Sequence, residues 1–382
     1  MCAGVALERS EFCSGLEKAV RMAISDKFPC VIIFACLTAG TVCASLQYEI
    51  VDLGTLGGPW GRAWDINSHG QVVGAAYTDD YFDHAVKWEI PLGPADLGTL
   101  GGARSRAHAI NDSGAAVGYA ETTSGARHAC LWQDDSALDL GTLGGDYSTA
   151  WDINSKGNVV GWSHTASGFY NATIWVKGSP ANLGVLYGDY SIAYGINSSD
   201  IAVGVAQAAD GSDIAVMWRD ESIIPLGTLP GGSWSTARGI NDNGQIILWA
   251  DTADGETHAA VWTEDMIFDL GTFGGDDSWA YGVNNLGHVV GWAEAADGTY
   301  QAFVYDGPEM LNLGTLGGLF SAAYGINDLG QIVGRAQTAS GETRAVLWNP
   351  VPEPAAIILF TQGSLIALRL RRRKKRKMKR SS

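Results

Sequence analysis

Two sets of residues recur at fixed spacing in this chain of 382 residues and carry side chains suited to holding a ligand. One set is Trp60, Arg104, Tyr147, Tyr190, Trp234, Asp277 and Phe320, and four residues beyond each stands Trp64, His108, Trp151, Tyr194, Arg238, Tyr281 or Tyr324. Aromatic faces on a concave surface stack against sugar rings, and Ser148, Ser191, Ser235, Ser278 and Ser321 beside them are hydrogen-bond donors for such a ligand. Arg62, Arg104, Arg106 and Arg238 fall in the same segments, beside His108, and would make a local anion site suited to a carboxylate- or sulfate-bearing polysaccharide. The candidate ligand-binding set is therefore Trp60, Arg62, Arg104, Arg106, His108, Tyr147, Tyr190, Trp234 and Arg238. Rings at repeated positions also suit packing between repeats, which a uniform scaffold favours. The departures from uniformity are what point to a ligand.

A repeat positions these residues. Versions of Leu-Gly-Thr-Leu-Gly-Gly begin at Leu53, Leu97, Leu140, Leu183, Leu226, Leu270 and Leu313, a period of 43 or 44 residues. One unit reads Ala63–Asn67, the turn Ser68-His69-Gly70, Gln71–Ala76, a second turn, His84–Trp88, a loop, and Asp96–Leu100. Four short runs of small and β-branched residues between turn signals predict a four-stranded antiparallel meander. Asn67 and its six counterparts, each with Gly or Asp three residues on, suit a turn in which the Asn side chain bonds backbone two residues ahead. The third strands pair an invariant Ala (Ala85, Ala129, Ala172, Ala215, Ala259, Ala302, Ala345) with Trp in six units and Tyr305 in the other. Small and very large side chains at fixed positions read as face-to-face packing, so these indoles are core rather than a ligand box.

The fold class that follows is all-β, a seven-bladed β-propeller of four-stranded antiparallel blades. The seventh unit ends at Trp348-Asn-Pro-Val-Pro without its own Leu-Gly-Thr strand, while Tyr48–Gly58 supplies one before the first unit, so an N-terminal strand would close the ring and leave no free edge. The alternative is a linear β-solenoid of seven repeats with its first strand unpaired.

The flanks differ from the repeats. Residues 1–44 contain a basic start after Met22, an apolar run from Phe28 and small residues up to Ala44, the marks of a signal peptide whose true start would be Met22; a retained membrane anchor is the alternative. Its removal leaves Cys130 as the one thiol of the repeat region, read as a small core residue and not a nucleophile. Residues 45–368 hold 11 Lys and Arg against 37 Asp and Glu, a surface that repels nucleic acid. Ten basic residues are instead crowded into Arg369–Arg380. The sequence has no Gly-x-Ser-x-Gly elbow, His-Glu-x-x-His, phosphate loop or zinc-spaced Cys/His cluster, so no catalytic residue, cofactor or metal is assigned.

The Leu-Gly-Thr-Leu-Gly-Gly, Ile-Asn-x-x-Gly-x-x-Val-Gly and His-Ala-x-x-Trp signatures resemble the bacterial extracellular HAF repeat family over residues 48–349. His84, His128 and His258 hold the first position of the last signature, and Asn171, Ile214, Gln301 and Arg344 replace it elsewhere, which argues against a ligand role for those histidines. Residues 351–382, with Val351-Pro352-Glu353-Pro354, an apolar run at Ala355–Leu368 and the basic cluster, resemble a PEP-CTERM sorting tail. That resemblance implies transient membrane anchoring as a transmembrane helix, and processing near Pro352, Glu353 and Pro354 by an exosortase-type membrane protease. The run is short for a span, and Thr361–Ser364 interrupts it. Together these features predict a secreted or cell-surface, non-enzymatic propeller that binds acidic exopolysaccharide or serves the biofilm matrix. The alternatives are a polysaccharide lyase or hydrolase using Asp277, His108 and the arginines, or a structural surface spacer.

Overall fold

The second strand of the first repeat, Val72–Thr78, is buried on both faces over its first five residues, as a strand must be when its sheet is packed between two others. With Gly57–Ile66, Asp83–Glu89 and Gly93–Gly98 it makes a four-stranded antiparallel sheet in sequence order. A computed structural model describes residues 47–351, except 135 and 308, and contains seven such sheets. The protein is a seven-bladed β-propeller.

The last sheet joins Gly317–Ile326, Ile332–Thr338 and Thr343–Val351 to the N-terminal strand Gln47–Asp52, with Ile50 opposite Trp348. The first described strand thus completes the last blade, and the linear solenoid is overturned. The first strand of every blade lines a central channel and the fourth forms the rim.

The core lies between blades. Val333, Ala345 and Leu347 of blade seven pack with Ala63, Val72, Val86 and Trp88 of blade one. Trp88, Trp175 and Trp348 are almost fully buried, and so is Ala at the paired small position. Cys130 is buried in the same kind of interface, where desolvation raises its pKa far above the ordinary thiol range. His84, His128 and His258 each place Nδ1 2.8 Å from an aspartate of the fourth strand, Asp96, Asp139 or Asp269, and tie strands three and four together.

The run Asp96–Leu100, expected from sequence to be a strand, is strand only as far as Gly98, and the middle of Leu-Gly-Thr-Leu-Gly-Gly is the passage between blades. In blade one the fourth strand stops at Gly98 and the next begins at Gly101. Asp96 Oδ1 accepts the Gly98 amide at 2.8 Å, and Thr99 Oγ1 donates to the Gly102 carbonyl at 2.9 Å. Gly98 and Gly101 both have positive φ, 75° and 97°, a conformation other residues resist. Leu140 and its counterparts Leu53, Leu226 and Leu313 anchor the passage in the core. The motif repeats because a chain crossing from rim to axis needs the same turn each time.

Candidate functional site

The face where the first strands begin, here the upper face, gathers most of the residues singled out from sequence. The segment between Leu-Gly-Thr-Leu-Gly-Gly and the run that begins at Ala63 is itself strand in five blades, running for example Gly57–Ile66 and Gly144–Ile153; only before Ser191 and Ser235 is it outside the strand. Strand alternation then sorts its side chains, with Trp60, Arg62 and Trp64 on one side and Gly61 and Ala63 buried on the other.

The serines fall on the buried side, which corrects their expected role. Ser148 Oγ accepts the Ala129 amide at 2.8 Å and donates to the Gly141 carbonyl at 2.7 Å. Ser105, Ser191, Ser235 and Ser278 make the same two bonds, and Ser321 accepts the Ala302 amide. These hydroxyls join adjacent blades and do not reach the surface.

The second set of recurrent residues forms a ring around the channel. Trp64 lies 4.8 Å from Tyr324 and 5.8 Å from His108; His108 stacks on Trp151 at 4.2 Å, and Trp151 is 5.6 Å from Tyr194. The Arg238 guanidinium sits 3.7 Å from the centre of Tyr194 and 4.1 Å from that of Trp249, and Tyr281 closes the ring against Tyr324 at 4.9 Å. Most of the recurrent aromatics are thus packing between blades. A cavity of 180 Å³ lies within this ring, reaching Asp65 and Asp152.

His108 is held as a neutral ring. Its Nδ1 is 2.8 Å from the Ala150 carbonyl, which only accepts, so Nδ1 carries the proton. Burial pushes its pKa down to about 3; Arg106, Arg127 and Arg238 act the same way, against the Ala150 bond. Asp277 is engaged elsewhere, accepting the Thr257 amide at 2.9 Å, and shares no contact with His108. Asp65 and Asp152 were not anticipated. Each accepts an amide from its own strand and one from the next blade, Ile110 and Ile196 respectively, and burial raises their pKa values to about 7 and about 6.

The arginines separate into two kinds. Arg106 Nε is 2.5 Å and Arg104 Nε 3.5 Å from the carboxylate of Asp83, whose side chain is only 7% exposed. Their charge is met within the protein. Arg62 instead lies over Trp64 and Tyr324 at 4.6 and 5.1 Å, and no carboxylate is paired with Arg62 or Arg238 among the described residues. The Nε atoms of both are buried without a hydrogen-bond acceptor. Aromatic faces offset part of that desolvation, as cation–π contacts do.

The remaining candidates take individual places on the upper face. Trp60 packs on Tyr77 at 5.0 Å, and exposed Tyr147 meets His164 edge-on at 5.5 Å. The Tyr190 hydroxyl donates to Asp213, and the Trp234 amide donates to Asp251 at 2.8 Å. A cavity of 520 Å³ opens beside Arg62 and adds Trp292, Tyr300 and Arg335, which the sequence reading missed. The available signal was a break in the repeat on the second strand, where Arg335 stands at the position of Ala75. Among the described residues no three His, Cys, Asp or Glu side chains are grouped to hold a metal, and no helix is long and apolar enough to cross a membrane. Ala44, Pro352, Glu353 and Pro354 lie outside the described residues.

No family model matches the sequence, and no curated protein matches it. Among solved structures, the chain is similar to a puromycin-hydrolyzing peptidase of Mycobacterium tuberculosis, at 11% identity and a TM-score of 0.53 over 79% of this chain and 54% of that one. TolB from Acinetobacter baumannii matches at 11% identity and a TM-score of 0.42, over 63% of this chain and 64% of TolB. The BP39L lectin from Burkholderia pseudomallei matches at 13% identity and a TM-score of 0.43, over 80% and 98%. The chain therefore spans about half the length of the peptidase and less than two thirds of TolB. At these identities the likeness is one of fold, and the chemistry of the upper face rests on this chain's own residues.

Proposed function

We propose that this protein is an exported, cell-surface or extracellular propeller that binds and does not convert its ligand, and that its upper face engages acidic polysaccharide of an exopolysaccharide or biofilm matrix. The observation that carries this reading is a set of guanidinium groups without carboxylate partners, beside aromatic rings, in a region with 11 basic and 37 acidic residues. Where acids outnumber bases so heavily, an arginine left unpaired is one from which carboxylates have been kept away. An external anion then finds little competition there. The separate engagements of His108 and Asp277 support binding over catalysis.

Export is proposed from sequence: a leader ending at Ala44, the resemblance of the repeats to the HAF repeat family, and a PEP-CTERM-like tail cut near Pro352–Pro354 by an exosortase-type protease. Mass spectrometry of the mature protein tests both ends. Biolayer interferometry of the same protein on polygalacturonate and on neutral dextran tests the binding. Saturable binding to the acidic polymer that weakens with salt is expected. No binding to either leaves the spacer reading, and release of new chain ends from the polymer would establish an enzyme.

A further inference from the structure

The cavity beside Arg62 exists because one blade lacks a side chain that the others have. At one register of the first strand stand Arg62, Arg106, Thr149, Ile192, Thr236 and Trp279 in blades one to six, and Ala322 in blade seven. Across the strand pair the sizes are exchanged: Arg62 faces Ala75 in blade one, whereas Ala322 faces Arg335 in blade seven. The missing bulk leaves the space of 520 Å³ above Ala322, and the exchange brings guanidinium groups into it from two adjacent blades. Trp292 and Tyr300 of blade six and Phe320 of blade seven supply aromatic walls, and no carboxylate lines it.

The two cations are poorly provided for. The Nε atoms of Arg62 and Arg335 are both buried without an acceptor. Arg335 lies over Phe320 at 5.4 Å, and its charge acts against that of Arg62, whose pKa burial has already lowered. An anion between them would relieve the repulsion and meet the guanidinium ends that line the cavity, which offer carboxylate or sulfate a planar fork. The volume is within the ordinary range for a small-ligand site, about 300–1,000 Å³.

We infer that this pocket is a single subsite for an anionic sugar ring, its carboxylate or sulfate ester received by Arg62 and Arg335 and its ring laid against Trp292, Tyr300 and Phe320. The inference rests on the polysaccharide-binding reading and narrows it to one site per propeller despite seven repeats. The smallness of Ala322 and the paired arginines occur together at one junction only, that of blades seven and one.

The test is calorimetric titration of the mature protein with trigalacturonate, a sulfated trisaccharide and neutral maltotriose. One site per chain is expected for one or both anionic sugars and none for maltotriose; the two anionic arms distinguish carboxylate from sulfate. Arg62→Ala and Arg335→Ala should each weaken binding at least tenfold, and Ala322→Trp should abolish it. Each places a residue that the protein already carries at the equivalent position, namely Ala322, Ala75 and Trp279. If Ala322→Trp does not fold, Ala322→Ile, after Ile192, tests the same filling. Several equivalent sites, or parental binding in these variants, would overturn the pocket while leaving polysaccharide binding intact. Failure of the parent to bind any acidic oligomer or polymer would overturn both.

Discussion

The side-chain amide of Asn327 donates a 3.0 Å hydrogen bond to the backbone carbonyl of Asn67, joining the last blade to the first. The same bond runs from Asn67 to Asn111 and on through Asn154, Asn197, Asn241 and Asn284 to Asn327, at 2.9 to 3.4 Å, so that seven amides form a closed circuit at the lower mouth of the channel. Each Asn Oδ1 also accepts two amides of its own turn, as His69 and Gln71 donate to Asn67. One residue type therefore shapes the turn and staples the blades. Only Asn or Gln has both an acceptor and donors on one planar group, and Asn has the shorter reach.

Replacing Asn327 by Ala leaves the Asn67 carbonyl and the amides of Leu329 and Gln331 without this partner. The Asn67 carbonyl keeps the Gly70 amide, and groups left unsatisfied cost about 1–3 kcal/mol each where buried, a sum that water at the mouth and the exposure of Leu329 reduce. Urea unfolding should show a loss of roughly 2–4 kcal/mol. A change under 0.5 kcal/mol would mean that the circuit does not hold the ring shut.

Asp65 gives the fold a pH dependence of definite sign. Its folded pKa, raised by burial to about 7, exceeds the unfolded value near 3.9, so the folded state binds the extra proton between those limits. Its contribution is fully present below about pH 4 and is lost as pH rises through about 7, at no more than roughly 1.4 kcal/mol per pH unit. Asp65→Asn removes this titration. The stability of the parent relative to this variant should fall between pH 4 and 7, and a difference that stays flat or rises would refute the assignment.

Asp83 holds Arg104 and Arg106 in place. Asp83→Ala should destabilise by about 1–3 kcal/mol, less than for a fully buried pair because the arginines remain partly in water. It also frees two cations on the upper face, so binding to polygalacturonate should strengthen. Weaker binding in the folded variant would show that Asp83 serves the ligand itself.

Ser148→Ala separates packing from recognition. Loss of the hydroxyl leaves the Ala129 amide and the Gly141 carbonyl unpaired, a cost of about 1–3 kcal/mol. Thermal unfolding should move and polysaccharide affinity should not. The reverse pattern would restore the serine to the ligand.

Much of the fold was legible because its instructions are local and repeated. The period of 43 or 44, the Asn and Gly turns, and the Ala and Trp of the third strand each specify structure within a few residues of themselves. The seventh unit without its fourth strand pointed to closure by a strand within Tyr48–Gly58, and Gln47–Asp52 closes the ring. Leu-Gly-Thr-Leu-Gly-Gly misled because its Leu and Thr suit a strand, while the positive φ of Gly98 and Gly101 turns the chain between blades. The upper face was read only in part: Arg62 was found as a departure from the repeat in the segment leading to the first strand, but Arg335 departs from it in the second strand and was passed over.

The sequence by itself determined the number of blades, the strands in each and the closing strand, since backbone hydrogen bonding and burial at a fixed period admit few other arrangements. Tertiary structure decided which arginines are spent on Asp83 and which are left free. It also decided that the serines are staples, and that Ala322, Arg62 and Arg335 meet at one opening. Those outcomes depend on the volumes and charges of side chains from three blades filling a common space, and no single repeat contains that information.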